Sequence, residues 1–306
     1  MVFSSLPFLF LFLTVVLLVS HLLPFKFRNF FLLLANLVFY AYGEPVYVLI
    51  MIASILVNFF AGVLMDKQPT QSRRRAVLVV GIVLNLAALG VFKYAGLFVD
   101  TLRGIPAFSS LPEVNIALPI GISFYTFQAV SYLIDVYWDD CEASHNFVNF
   151  ACYISLFPQL IAGPIVRYRD VNEQLVSRHE TPTLFNSGVR LFMVGMAKKV
   201  LLANQFGMLW ESVSADPVAA GAIGAWVGAC AYTLQIYFDF AGYSDMARGL
   251  GRMLGFEFCI NFNYPYISKS VTEFWRRWHI SLSTWFRDYV YFPLGGSRVD
   301  SRAKHI

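Results

Sequence analysis

The chain has 306 residues, of which 58% are hydrophobic, 17% aromatic and only 14% charged, with a formal net charge of +4. Soluble domains carry about a quarter charged residues, so this composition, with a mean hydropathy of +0.59, excludes an ordinary soluble enzyme and places the chain in the membrane class. The small positive excess is scattered over short loops, which leaves no footprint for nucleic acid.

In chain order, apolar runs at about 6–24, 29–43, 46–65, 76–99, 117–138, 147–166, 184–210 and 218–241 predict an all-α protein of about eight transmembrane or re-entrant helices. The first run lacks a basic segment before it and a small-residue cleavage site, so it reads as a retained span. Glu44-Pro45 divides the second run from the third as a proline turn between helices. Lys26, Arg28 and the segment KQPTQSRRR at 67–75 face the cytoplasm by the positive-inside rule, which puts the amino terminus outside. Gly163-Pro164 predicts a re-entrant or broken helix buried in protein, consistent with a basic segment at 167–180 that also prefers the cytoplasm. Without repeats or a flexible linker, residues 1–306 read as one integral-membrane domain. Cys141, Cys152, Cys230 and Cys259 show neither Cys-x-x-Cys spacing nor a histidine cluster, so they read as buried small hydrophobes and no metal site is expected.

The eighth run leads into QIYFDFAGYSD at 235–245, which carries Asp239, Tyr243, Ser244 and Asp245. These residues either face protein or water at membrane depth, or mark a helix end at the interface with a turn at Gly242. Ser244 lacks the second glycine of a G-x-S-x-G nucleophile elbow. Lys198 and Lys199 lie between apolar runs and read as a helix end near the cytoplasm.

The most polar aromatic stretch is EFWRRWHISLSTWFRDYVYFPLGG at 273–296. On a helix across about 268–290, Phe274, Trp275, Trp278, Leu282, Trp285, Phe286 and Tyr289 share one side. Glu273, Arg276, Arg277, Ser281, Ser283, Arg287 and Asp288 take the other, with His279 on the border and Ile280 out of place. This pattern predicts an amphipathic helix that lies in the interface or lines a cavity. Glu273 is in reach of Arg276 or Arg277. His279 is either a catalytic or substrate-orienting group or a histidine that only hydrogen-bonds. The arginines suit anionic lipid headgroups or a phosphate-bearing acyl donor. His21, His145, His179 and His305 read as structural.

These segments carry a resemblance. Together with VFKYAGLFVD (91–100), LPIGISFYTFQAVSYLIDVY (118–137), SLFPQLIAGPIVRY (155–168), AKKVLLAN (197–204), QIYFDFAGYSDMARGLG (235–251) and the stretch 261–296, the chain resembles the membrane-bound O-acyltransferases, in their bacterial alginate O-acetyltransferase-like branch. The resemblance implies a multi-pass enzyme of the bacterial inner membrane with a tunnel. It would pass an acetyl group from a cytoplasmic donor, acetyl-CoA or an acyl-carrier thioester, to a secreted or cell-wall polysaccharide, with no bound cofactor. Membrane lipids and extracytoplasmic acetyltransferase proteins are the implied partners. Of the family's two histidines, the first matches His279. The second, the presumed catalytic base in a Trp-His-Gly motif on a later apolar helix, has no match within these residues. The chain is therefore expected to be the amino-terminal portion of a longer enzyme. Asp239, Tyr243, Ser244, Asp245, Glu273, Trp275, Arg276, Arg277, Trp278, Ser283 and Arg287 are the expected substrate-binding or supporting residues. Two other classes fit the composition: a transporter or flippase of a lipid-linked anionic substrate, and a non-catalytic membrane component of a polysaccharide export complex.

Overall fold

A computed structural model describes residues 2–113 and 116–298, and every regular element among them is helical. The chain divides into two compact units, one of Phe25–Ile161 with Arg167–Leu175, the other of Met1–Pro24, Ala162–Val166 and Val176–Ile306.

The first of these units contains α2 (Phe25–Gly43), α3 (Val48–Asp66), α4 (Gln71–Arg103), α5 (Ile122–Tyr137), α6 (Phe147–Ser155), α7 (Phe157–Leu160) and most of α8 (Tyr168–Val176). Helices α3 and α4 are long and apolar enough to cross a membrane. The 33 residues of α4 extend about 50 Å at 1.5 Å per residue, well beyond a hydrocarbon core of about 30 Å. These helices are joined by a reciprocal amide pair, in which Asn58 and Asn85 each donate to the other's side-chain oxygen at 3.1 and 2.8 Å. Helix α5 is enclosed by its neighbours: Tyr125, Gln128, Tyr132, Leu133 and Asp135 are all fully buried. The apolar run at 147–166 is broken, as expected, but the break comes at Leu156 (φ −55°, ψ 108°) rather than at Gly163. Asn36 makes that break possible, because its Oδ1 accepts the freed N–H of Phe157 at 3.1 Å. Pro158 follows, in the first turn of α7 where its missing N–H costs nothing.

The other unit contains α1 (Pro7–Leu22), α9 (Pro182–Ala197), a π-helical stretch (Lys198–Ala203), α10 (Asn204–Ala215) and α11 (Pro217–Met253). It also contains α12 (Val271–Arg277), α13 (Ile280–Phe286) and a π turn (Arg287–Tyr291). Backbone angles stay right-handed helical from α9 through Lys198 into α10. Lys198 and Lys199 are thus inside one continuous helical run, which corrects the expectation of a helix end. Helix α11, kinked at Gly221, also runs on through QIYFDFAGYSD to Met253, so there is no turn at Gly242. It is the third helix long and apolar enough to span.

Glycines bring α9 and α11 into close antiparallel contact. A Cβ on Gly195 would lie 2.6 Å from the Gly242 carbonyl oxygen, and one on Gly188 would lie 2.7 Å from that of Gly249. Both pairs repeat at seven residues, the spacing that keeps small side chains on one seam and lets two backbones approach in lipid. The cysteines depart from expectation. Cys152 is buried and Cys141 half-buried, but Cys230 and Cys259 are exposed. Cys230 lies on a helix long and apolar enough to span, where an apolar thiol is as compatible with lipid as with a protein core.

Candidate functional site

The seam between α9 and α11 sets the register of the acids. Asp239 pairs with Lys199 Nζ at 2.7 Å, and Asp245 accepts from Lys198 Nζ at 2.6 Å and from Arg248 Nη1 at 3.4 Å. Each lysine, carried inside the π-helical stretch, meets an acid inside α11, so each charge has an opposite partner across the helix pair. Tyr243 stacks on Phe3 with ring centroids 4.6 Å apart, and Ser244 is 1% exposed. Asp239 and Asp245 thus neutralise the two lysines across the helix pair, while Tyr243 packs on the segment before α1.

The chain leaves α11 at Met253 and returns through 254–270 to α12. Ser270 caps that helix by accepting the N–H of Glu273 at 3.1 Å, while Glu273 Oε2 takes the N–H of Lys269 at 2.9 Å. Glu273 also holds Arg277, whose Nη2 lies 2.9 Å from Oε1, and these contacts keep its carboxyl below the usual carboxylate range. Arg277, rather than Arg276, is therefore its partner. Arg276 and Trp275 are exposed, and Arg287 pairs with Asp288 at 2.8 Å.

The helix across 268–290 is not continuous. His279 adopts the left-handed conformation (φ 42°, ψ 54°), which no right-handed helix admits, and α12 ends before it while α13 begins after it. The break divides the aromatic side. Trp285 and Tyr289 are buried, whereas Trp275 and Phe286 are exposed. Trp278, at the break, sits among Tyr237, Phe262, Tyr266 and Phe274 with ring centroids 5.1–6.2 Å away. Ser283, half-buried, opens α13 with its N–H on the His279 carbonyl at 3.1 Å.

Two backbone hydrogen bonds anchor the break to the loop before α12: Asn263 N–H to Arg277 O at 2.9 Å and Ile280 N–H to Asn261 O at 3.0 Å. The His279 ring is 9% exposed, packed edge-on to Phe240 of α11 at 4.8 Å and over Phe262 at 6.4 Å. Its Nδ1 lies 3.0 Å from Asn261 Oδ1. Burial alone pushes the imidazole pKa down to about 4, so the ring is neutral at physiological pH. A neutral imidazole can take a hydrogen bond or a proton from a hydroxyl, which an imidazolium cannot.

Asn261, Phe240 and Phe262 are the neighbours that periodicity did not single out, and Ser281 was placed only on the polar side. The only local signal is NFNYPY at 261–266, where two amides interrupt an aromatic segment ahead of a proline. Among the described residues no group of three or more His, Cys, Asp or Glu side chains is placed to hold a metal ion.

Comparison with known proteins gives this arrangement a family context. A family model described as MBOAT, membrane-bound O-acyltransferase family, matches residues 142–305. A probable alginate O-acetylase from Pseudomonas aeruginosa is 48% identical over 304 residues, covering 97% of this chain and 58% of that protein. One from Azotobacter vinelandii is 49% identical over 305 residues, covering 97% of this chain and 60% of that protein. A peptidoglycan O-acetyltransferase from Helicobacter pylori is 33% identical over 300 residues, covering 89% of this chain and 57% of that protein. The chain thus spans about three fifths of the length of these relatives, and it belongs to the membrane-bound O-acyltransferase family.

Proposed function

We propose that the protein is a membrane O-acyltransferase that places acetyl groups on hydroxyls of a secreted or cell-wall polysaccharide. The observation that carries this reading is the buried, neutral His279 at a broken helix, in the segment that the family model covers. Relatives named for alginate and for peptidoglycan O-acetylation, at 48% and 33% identity, support a carbohydrate acceptor.

The donor in this proposal is a cytoplasmic thioester, acetyl-CoA or an acyl-carrier thioester. The acceptor oxygen attacks the thioester carbonyl, the new C–O ester bond forms, the C–S bond breaks, and the hydroxyl proton ends on the leaving thiol. His279 meets the reacting groups as a neutral imidazole. Phe240, Phe262 and Trp278 exclude water around it, and Glu273 with Arg277 fixes the helix that precedes it. Asp239, Tyr243, Ser244 and Asp245 support α11, while exposed Trp275, Arg276 and Arg287 serve lipid headgroups or the donor. Ser283 supports the break from α13. The enzyme sits in the bacterial inner membrane with about eight transmembrane or re-entrant helices, its amino terminus outside, and works with extracytoplasmic proteins that complete delivery to the polymer.

The test is the acetyl content of the secreted and wall polysaccharides in cells with and without the full-length gene, read by proton NMR of released acetate. Loss of acetyl esters on deletion and their return on complementation is the expected result. An unchanged acetyl content in every polymer fraction would refute the proposal.

A further inference from the structure

We propose that Asn261 is a positioning residue for His279: its side-chain oxygen holds the imidazole as the Nδ1–H tautomer, leaving Nε2 bare to receive the hydroxyl hydrogen. The chemical consequence rests on the acyl-transfer reading above, while the tautomer itself rests on geometry alone.

Asn261 is 1% exposed, and one atom of its amide meets three neighbours. Oδ1 lies 3.2 Å from the Ser281 backbone nitrogen, 2.9 Å from Ser281 Oγ and 3.0 Å from His279 Nδ1. A backbone N–H only donates, so the amide atom facing it is the oxygen, and this decides which end of Asn261 faces the histidine. An amide oxygen only accepts, so the hydrogen in the contact with His279 belongs to Nδ1. In a neutral ring the other nitrogen, Nε2, then carries the lone pair. Ser281 does not offer an alternative. Its Oγ accepts the N–H of Ile165 at 3.0 Å and gives its own hydrogen to Asn261, while lying 3.5 Å from Nδ1.

Two further features fit positioning better than packing. The opposite end of the amide, Nδ2, is buried with no hydrogen-bond partner among the described residues. A side chain retained for stability alone would not strand a donor in this way. The left-handed backbone at His279, together with the Ile280 N–H to Asn261 O bond at 3.0 Å, also holds the two residues side by side. Strain of this kind persists only where its surroundings enforce it.

The experiment uses full-length protein with 15N-labelled histidine, the His279 signals being assigned by their loss in His279→Gln. In wild-type protein at neutral pH, Nδ1 is expected to be protonated and Nε2 bare. Asn261→Leu removes the acceptor at similar size. It should release the ring to a mixture of tautomers and lower kcat for acetyl transfer about 10²-fold, the scale of a misplaced catalytic group, with KM for the donor within about twofold. Asn261→Asp keeps an acceptor oxygen in place and should retain the Nδ1–H form and at least a tenth of the rate. An Nε2–H ring in the wild type overturns the inference, and that spectrum decides even if the leucine variant fails to fold. So does an unchanged tautomer in a folded Asn261→Leu protein, or a released tautomer with unchanged kcat. A wild-type ring in the Nδ1–H form with no acetyl transfer to polysaccharide would instead sink the acyl-transfer reading and leave the positioning intact.

Discussion

At the residue scale, the buried ring of His279 links the site's chemistry to the stability of the fold. Its pKa is about 4 in the folded protein, against about 6.5 for an exposed histidine. The unfolded chain therefore binds the proton more readily than the folded one between those values, and stability falls as pH falls through that window. Above pH 6.5 the contribution is complete; by pH 4 it is lost, a change on the order of 3 kcal/mol. Thermal unfolding of the detergent-solubilised protein at pH 7.5, 6 and 5 should show this loss in the wild type and a shallower slope in His279→Gln. Parallel pH slopes in the two proteins would show that the ring is not buried as described. Spacing left His279 open and the family resemblance made it the candidate, whereas neither pointed to Asn261. The two are 18 positions apart and meet only because the chain doubles back before α12. Helical periodicity also misplaced His279 on a seam between faces, because a left-handed residue leaves no trace in spacing.

At the scale of elements, the α9–α11 seam depends on backbones that touch where side chains would intrude. Alanine at Gly195 would bring its Cβ within 2.6 Å of the Gly242 oxygen and 2.7 Å of the Met246 nitrogen, both backbone atoms of α11. Overpacking of this kind costs about 1–3 kcal/mol. Gly195→Ala should therefore lower the melting temperature by several degrees and loosen the Lys198–Asp245 and Lys199–Asp239 pairs. Gly90 in α4 has nothing within 4 Å of a built Cβ, so Gly90→Ala should leave the melting temperature unchanged or slightly raised, since alanine is the better helix former. Equal losses in both variants would contradict the account of the seam. The helices themselves were legible from apolar length, yet two of their interiors read as ends. Two adjacent lysines between apolar runs, and acids beside a glycine, look like boundaries. Only the pairing of one set with the other, across two helices, makes both tolerable inside.

At the scale of the whole molecule, orientation can be tested through contacts within the unit that holds α3, α4 and α5. Arg74, at the start of α4, holds Asp139 at 2.6 Å, and Asp66, at the end of α3, holds His145 at 3.1 Å. The turn before α4 and the segment after α5 therefore lie at the same end of this unit, and in the orientation proposed above that end faces the cytoplasm. Cysteines introduced at Gln68 and Glu142 should react with a membrane-impermeant maleimide only in inside-out vesicles. Labelling of the two positions from opposite faces would break this topology. Composition and hydropathy were sufficient for the membrane class and the all-helical architecture. Which apolar runs cross and which are enclosed was not legible, because the run at 117–138 is long enough for a span, yet α5 within it is buried by its neighbours.

The most direct measurement is transfer of labelled acetyl from thioester to polysaccharide in membrane vesicles from cells that carry the full-length protein together with its extracytoplasmic partners, comparing wild type with His279→Ala. Wild-type vesicles should yield labelled, alkali-labile polymer, and the variant should fall by about 10²-fold or more with insertion and melting behaviour retained. Undiminished transfer by a folded His279→Ala protein would remove His279 from the chemistry.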